Sequence, residues 1–324
     1  MKRFLRSEAG STVIWVVASL ILAAILVPWI YRAGISLGQA ATARDLPALL
    51  EWVGSSALRA KFSRYFSRAL VLSAVVLLPF LLNRIRKIRA GALWSCDHCR
   101  HMSWARGLAQ VAVGCIISGG LLWMLGMLLH HWGAYVISPK EPTPAKLIKA
   151  VLVPAIAAAS IEEWLFRGLL LGLWLRFSKP FAACIGTSLL FSFIHFLDPP
   201  RGSVIADPAH PMAGFELLGK IIFHFADPRF FVTDFATLFV IGMILAWARL
   251  RTGALWFPIG LHAGWILAFK GYNLIHKGVP EHAVHPWGLG DSLRSGLFPL
   301  LTLLITAAAC HLAVRVFEKR GIST

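Results

Sequence analysis

Three charged residues interrupt an apolar stretch in the middle of the chain. Glu162, Glu163 and Arg167 lie within the run from Ala150 to Leu175, where most neighbours are apolar. In an α-helix, Glu163 and Arg167 are about one turn apart on one face and can form an ion pair. Glu162 lies about 100° around the helix axis from Glu163. We therefore predict that Glu162 is the carboxylate left for chemistry, because an ionisable group inside an apolar run is a functional candidate.

Two histidines occupy further apolar runs. His195 lies near the end of the run from Pro180 to Leu197, and His262 lies inside the run from Ala254 to Phe269. Counted from the basic residue that ends each run on one side, Glu162, His195 and His262 are roughly 21, 24 and 17 Å deep at 1.5 Å per helical residue. The three side chains can therefore share one plane.

A carboxylate and two imidazoles at one depth are sufficient for amide hydrolysis. A carboxylate shielded from bulk water can act as a general base toward a water molecule, and an imidazole can orient that water or protonate a leaving amine. An imidazole can also stabilise a developing oxyanion. Structural explanations stand beside this one: Glu163 and Arg167 can simply hold a helix in register, and a buried histidine can be a polar contact between helices.

The elements that must position these residues are membrane-spanning helices. The chain of 324 residues is 57% hydrophobic and only 15% charged, which leaves too little polar surface for a soluble globule. A helix needs about 20 apolar residues to cross a bilayer. Eight runs approach this pattern, namely Ser11–Tyr31, Arg68–Leu82, Gly107–His130, Ala150–Leu175, Pro180–Leu197, Phe235–Leu250, Ala254–Phe269 and Gly296–Val316. We predict an all-α, polytopic integral membrane protein with about eight transmembrane helices.

Three regions follow from these runs. Residues 1–147 are predicted to be an N-terminal transmembrane region of about three helices. Residues 148–270 are the core that carries the charged residues, and residues 271–324 are a loop followed by a C-terminal transmembrane helix. Cys96 and Cys99 form a Cys-x-x-Cys pair, which is half of a zinc-binding pattern and which we interpret as part of a loop.

The net charge of +17 lies mainly in the loops between the apolar runs. This distribution favours anionic membrane lipid over nucleic acid as the partner. Short basic loops mark the cytoplasmic side, so we expect an integral protein of a bacterial plasma (inner) membrane with a cytoplasmic N-terminus. The long loops Asp198–Asp234 and Lys270–Arg294 then lie outside, where we expect them to gate substrate entry. The stretch Phe215–Phe225 in the first loop is typical of an amphipathic helix lying in the membrane interface.

Two sequence motifs resemble those of the CPBP family of CAAX proteases and bacteriocin-processing enzymes, also called Abi or type II CAAX prenyl endopeptidase-like. The family's first motif, Glu-Glu-x-x-x-Arg, is complete here as Glu162, Glu163 and Arg167. Its second motif, Phe-x-x-x-His, is present as Phe191 and His195. The motifs occur in the family's order on successive apolar runs.

The third motif of the family is only half present. It requires a histidine followed four positions later by Asn or Asp, whereas His262 is followed by Ile266. The resemblance extends from Lys149 to Phe269. One hydrogen-bonding side chain of the family's oxyanion site is therefore missing, and we consider backbone amides near Gly264 or the side chain of Asn273 as substitutes.

The resemblance implies an intramembrane endopeptidase of the glutamic type. In this mechanism Glu162 activates water, His195 assists and His262 helps to form the oxyanion site. The implied substrate is a membrane-associated protein or peptide that carries a prenylated C-terminus, a bacteriocin leader or a C-terminal sorting signal. We favour chemistry without a cofactor. Zinc bound by Glu162, His195 and His262 is the alternative, because three such ligands leave a position open.

Two other functions stay open at this point. A non-catalytic membrane scaffold or immunity protein is favoured by Ile266, which departs from the family's motif. A proton-coupled transporter is the third possibility, because intramembrane Glu and His residues also build proton relays. Transporters are often inverted repeats, and no internal repeat is visible in this sequence.

Overall fold

The computed structural model describes residues 7–43, 47–88, 102–139, 142–176, 178–197, 203–279, 288–289, 292–294 and 296–319. The helices are α1 (Glu8–Ala43), α2 (Ala48–Leu58), α3 (Phe62–Ile88), α4 (Trp104–His131), α5 (Pro144–Leu175), α6 (Pro180–His195), α7 (Ala213–His224), α8 (Pro228–Thr252), α9 (Trp256–Ile275) and α10 (Leu297–Lys319). Strands β1 (Tyr135–Ile137) and β2 (His276–Gly278) form one antiparallel ribbon. The predicted loop with Cys96 and Cys99 lies outside the described residues.

The prediction of an all-α membrane protein is confirmed. Each of the eight predicted runs overlaps one helix, and six of the described helices are long and apolar enough to cross a membrane: α1, α3, α4, α5, α8 and α10. The predicted count of about eight spans is not confirmed. Helix α6 has only 16 residues, which is short for a hydrocarbon core of about 30 Å. Helix α9 carries His262, Lys270 and Asn273, which lower its hydropathy.

Several predicted helix ends are wrong because an apolar run in the sequence and the helix that contains it end at different residues. Helix α3 extends beyond both predicted ends, α8 begins at Pro228 rather than at Phe235, and α2 lies between the first two predicted runs. Polar residues end an apolar run but not a helix. Proline suits the first turn of a helix. Helix α8 ends at Thr252 because Gly253, the next residue, has a φ of 67° and leaves the helical path.

The chain forms two compact units. One comprises residues 1–94 and 195–227, and the other comprises residues 95–194 and 228–324. The order of the sequence does not indicate that the segment after α6 packs with the N-terminal helices. The three predicted regions divide the chain differently and stay a prediction.

In the first unit, α1 packs against α2, α3 and α7. The indole Nε1 of Trp15 donates to the carbonyl of Ala74 at 3.1 Å, and Nε of Arg84 donates to Oγ of Ser11 at 2.9 Å. These two contacts join α1 to α3. Helix α7 lies so close to α1 at Gly214 that any side chain there would overlap the carbonyl of Ala24.

Helix α7 covers nearly all of the stretch that was predicted to form an amphipathic helix, so that helix is confirmed. Its buried residues are Ala213, Gly214, Leu217 and Ile221. On the other side of the helix, Phe223 is 79% exposed. Its location in the membrane interface and its role as a gate stay predictions.

The second unit is organised around a close contact between α4 and α9. A Cβ added to Gly114 of α4 would lie 2.8 Å from the backbone nitrogen of Leu261, and one added to Gly264 of α9 would overlap Ser118. The hydroxyl of Ser118 donates to the carbonyl of Leu261 at 2.7 Å. Small residues allow helix backbones to approach in this way. The contact therefore fixes the height of α9 along α4.

The β-ribbon closes one end of the same helix pair. The ring of His276 stacks on Tyr272 with centroids 4.0 Å apart, and the hydroxyl of Tyr272 donates to the carbonyl of Gly126 at 2.6 Å. Nδ1 of His130 donates to the carbonyl of Tyr135 at 2.7 Å. Burial lowers the pKa of His276 and raises the pKa of Tyr135 to about 12, so both side chains favour their uncharged forms at neutral pH.

Adding one methyl group on α4 tests the close contact. Gly114→Ala should lower the free energy of unfolding by about 1–3 kcal/mol, because the new atom meets backbone that cannot move aside. Gly120→Ala is the matched control, since nothing lies within 4 Å of its added atom. Alanine should leave stability there unchanged or raise it by up to about 1 kcal/mol. Thermal unfolding of both variants in detergent measures the difference, and equal midpoints would contradict this packing.

Candidate active site

The charged residues of the sequence motif lie where helix α5 changes its winding. Residues Val153–Glu163 form a regular α-helix, and residues Trp164–Leu170 form a π-helical segment. Such wider turns are rare and often occur at functional sites. Glu162 and Glu163 are therefore the last two residues of the α-helical segment that precedes the π-helical one, and Arg167 lies within the π-helical segment. No signal in the sequence predicts this change.

Glu163 is completely buried and is the centre of the polar contacts. Its Oε1 accepts a hydrogen bond from Nη1 of Arg167 at 2.8 Å. The same oxygen accepts a second hydrogen bond, also of 2.8 Å, from Nδ1 of His262. The predicted ion pair between Glu163 and Arg167 is present. The bond to His262 is additional, and it was not predicted because helical spacing shows only partners on the same helix.

Arg167 joins three helices and is 3% exposed. Besides its bond to Glu163, its Nη2 donates to the carbonyl of Gly242 on α8 at 3.2 Å. Its guanidinium lies 4.5 Å from the centre of the Phe191 ring on α6, a distance at which the cation is attracted to the ring face. A side chain at Gly242 would come within 2.9 Å of Ser188, so glycine keeps this part of α8 close to α6.

His262 lies between the two carboxylates of α5. Its Nδ1 contacts Glu163, and its Nε2 is 3.8 Å from Oε2 of Glu162. An ionised carboxylate only accepts hydrogen bonds, so Nδ1 is the atom that carries a proton in the contact with Glu163. That contact fixes the ring and turns Nε2 toward Glu162. The ring of Phe191 lies edge-on to the ring of His262, with the two ring centroids 6.0 Å apart.

Glu162 differs from Glu163 in its access to the surroundings. Its side chain is 29% exposed, whereas that of Glu163 is closed off. The distance from Glu162 to His262 is longer than a direct hydrogen bond. An oxygen atom placed between these two side chains would be within reach of both. The arrangement suits a general base beside an imidazole that a second carboxylate orients.

His195 is the last residue of α6 and belongs to the first unit. The second unit contains the other predicted site residues, and it brings Glu162, Glu163, Arg167 and His262 together. The catalytic roles of all five residues stay predictions. Among the described residues, no three His, Cys, Asp or Glu side chains are grouped to bind one metal ion.

The half-present third motif has a clear structural consequence. Ile266 follows His262 by about one turn of α9 and is half-buried, so an apolar side chain stands where the family has an amide or carboxylate. Gly264 packs against α4 at Cys115 and Ser118. Asn273 is exposed and lies roughly 16 Å farther along the helix than His262. Asn273 is therefore distant from the imidazole along α9, and the role of backbone amides near Gly264 stays a prediction.

Two contributors were missed by the sequence analysis. Phe191 was known as a motif residue, but its contact with the guanidinium of Arg167 was not predicted. The carbonyl of Gly242 carries no signal in the sequence, because every residue has one. Such contacts depend on tertiary packing, which short sequence patterns do not encode.

Residues 144–268 match the family described as Type II CAAX prenyl endopeptidase Rce1-like. This range contains all the residues of the motifs, and the resemblance to the CPBP family is confirmed. No curated protein and no solved structure shows a significant match to the chain.

Two described arginine–glutamate pairs of the second unit have equal distances and different burial, which allows a matched test. Arg167→Met leaves Glu163 buried without its cation and should lower the free energy of unfolding by about 3–5 kcal/mol. Arg251 contacts Glu318 at the same 2.8 Å, but both side chains are over 40% exposed. Arg251→Met should change stability by at most about 1 kcal/mol. Chemical denaturation in detergent compares them, and similar losses would show that burial of Glu163 does not matter.

Proposed function

Because residues 144–268 match the family described as Type II CAAX prenyl endopeptidase Rce1-like, we propose that the protein is an intramembrane endopeptidase of the glutamic type. One observation carries this proposal: His262 lies between two carboxylates, hydrogen-bonded to buried Glu163 and 3.8 Å from partly exposed Glu162. A base and an oriented imidazole are the groups that peptide-bond hydrolysis needs. The protein needs no cofactor in this proposal.

Glu162 is the general base of the proposed reaction. It takes a proton from a water molecule while the water oxygen attacks the carbonyl carbon of the scissile bond. The carbonyl oxygen then carries a negative charge. It accepts a hydrogen bond from Nε2–H of His262 when the ring is an imidazolium, with Nδ1–H donating to Glu163 and Nε2–H facing the oxyanion. The bond between carbon and nitrogen breaks when the proton held by Glu162 passes to the leaving nitrogen. Groups fixed in advance stabilise such charge best.

Glu163 and Arg167 are positioning residues in this scheme. The contact from Glu163 sets the orientation of His262, and Arg167 keeps Glu163 from being an uncompensated buried charge. His195 is proposed to assist Glu162 with the attacking water, a role that rests on its place in the second family motif.

The substrate is proposed to be a membrane-associated protein or peptide. Glu162 is flanked on α5 by Ile161 and Trp164, which are 64% and 56% exposed. Large apolar side chains around the base favour a substrate that approaches from the lipid side. The name of the matched family makes a prenylated C-terminal peptide the first candidate, and bacteriocin leaders and C-terminal sorting signals follow it. We also propose a bacterial inner-membrane location and a cytoplasmic N-terminus. Helices α6 and α9 are proposed to cross the membrane as well, which brings the number of spans to eight.

One observation favours a second function. Ile266 places an apolar side chain one turn from His262, so a developing oxyanion would lack the side-chain donor of the family's third motif. One such donor contributes about 10²–10³ in rate to an acyl transfer. A non-catalytic scaffold or immunity protein would keep the fold and the ion pair without needing that donor.

Cleavage of a quenched fluorescent peptide with a farnesylated Cys-a-a-X end tests the protease proposal. Glu162→Gln should lower the rate at least about 100-fold, because it removes the general base while keeping the shape. Glu51→Gln is the matched control, since Glu51 is exposed on α2. His262→Gln should also lose most of the activity, and His131→Gln, on an exposed residue at the end of α4, should keep it.

Mass spectrometry of membrane and exported peptides covers substrates other than the farnesylated probe. Cells with wild-type protein should contain cleavage products that are absent with Glu162→Ala or His195→Ala at matched protein levels. Identical peptide patterns in a host that contains the substrate would contradict the protease and favour the scaffold. Unchanged cleavage by Glu162→Ala alone would contradict the role given to that carboxylate.

A further inference from the structure

Helix α10 carries a row of basic side chains that the proposed reaction does not use. His311, Arg315 and Lys319 follow one another at intervals of four residues, which places them on nearly one face of the helix. All three are exposed. The rest of this helix is apolar and long enough to cross a membrane. The basic row therefore runs along a lipid-facing side of the span toward its C-terminal end.

The row is bordered by the C-terminal end of α8. The ring of Trp247 lies 5.9 Å from that of His311, and Nη2 of Arg251 contacts Oε1 of Glu318 at 2.8 Å. The charge of Arg251 is thereby compensated. Within the part of the chain that the structure describes, neither Arg315 nor Lys319 makes an ion pair with an acidic side chain. Two cations are left facing the lipid beside an already neutralised pair.

The spacing of the row matches the layers of a membrane surface. From His311 to Lys319 the helix rises roughly 12 Å. With Lys319 at the level of the lipid phosphates, Arg315 lies roughly 6 Å deeper and reaches back along its flexible stem, while His311 lies level with the upper acyl chains. A cation at this depth is stabilised by a nearby anion, and a lipid phosphate can be that anion.

We propose that Arg315 and Lys319 bind the phosphate of one anionic phospholipid molecule, with His311 and Trp247 below it along the acyl chains. Anionic lipid is favoured over zwitterionic lipid because the two cations have no acidic partner in the described structure, and an anionic headgroup brings no cation of its own. The chain's net charge of +17 favours the same leaflet. This site does not depend on the proposed peptidase function.

A simpler explanation is that basic side chains at the ends of membrane helices extend toward the membrane surface without binding a particular lipid molecule. That explanation requires no alignment of the residues and no preference for one lipid molecule. The chain contains a suitable comparison in Arg86 and Lys87 at the end of α3, which are also exposed. They are adjacent in sequence, so they lie on different faces of their helix and cannot extend one row.

Native mass spectrometry of the full-length protein in detergent tests the site, with equal amounts of phosphatidylglycerol and phosphatidylcholine added. The wild type should retain an excess of phosphatidylglycerol. The double variant Arg315→Gln, Lys319→Gln should lower that excess by about fivefold for each charge removed. The double variant Arg86→Gln, Lys87→Gln removes the same charge and should keep the excess. Exchanging the two residues for each other's type, by Arg315→Lys with Lys319→Arg, should also keep it.

Equal losses in the two charge-removing variants would overturn the proposal, because the effect would then be one of overall charge. No loss in the Arg315 and Lys319 variant would overturn it as well. Displacement of the lipid by excess inorganic phosphate would assign the contact to a free anion and would also contradict a lipid site. A loss confined to the Arg315 and Lys319 variant, with thermal unfolding unchanged, supports it.

Discussion

One oxygen atom, Oε1 of Glu163, accepts hydrogen bonds from two side chains in a part of the protein closed to solvent. A buried carboxylate is costly unless it is paired and hydrogen-bonded. Arg167 and His262 supply that compensation, and each comes at a position fixed by other contacts. Because the carboxylate needs both donors, the spacing between α5 and α9 is constrained at this point. The orientation of the imidazole toward Glu162 follows from that constraint.

The close packing of α4 and α9 has a consequence for this interaction. Gly260 and Gly264 flank His262 in sequence and both lie directly against α4, so the backbone around the histidine cannot shift without overlap. Arg167 is held in a comparable way by the carbonyl of Gly242 and the ring of Phe191. Both donors of the hydrogen bonds to Glu163 are therefore held in place before a substrate arrives, which is the condition for electrostatic catalysis.

The sequence predicts this arrangement only in part. An apolar run interrupted by Glu162, Glu163 and Arg167 is a local pattern, so the helix and its ion pair are predictable from spacing. The contact between Glu163 and His262 joins residues 99 positions apart, and no periodicity encodes it. The π-helical segment after Glu163 is equally invisible, because winding depends on packing as well as on residue type. Helix ends were misplaced for a related reason, since polar residues end a hydropathy signal without ending a helix.

We infer that Glu163, and not Glu162, determines the orientation of His262. Nitrogen-15 NMR of histidine-labelled protein in lipid nanodiscs measures this directly, with the signals of His262 identified by their loss in His262→Gln. We expect that Nδ1 carries the hydrogen-bonded proton, that Glu163→Gln changes the Nδ1 signal, and that Glu162→Gln leaves that signal in place. A neutral ring protonated only at Nε2, or a response to Glu162→Gln and none to Glu163→Gln, would contradict this inference.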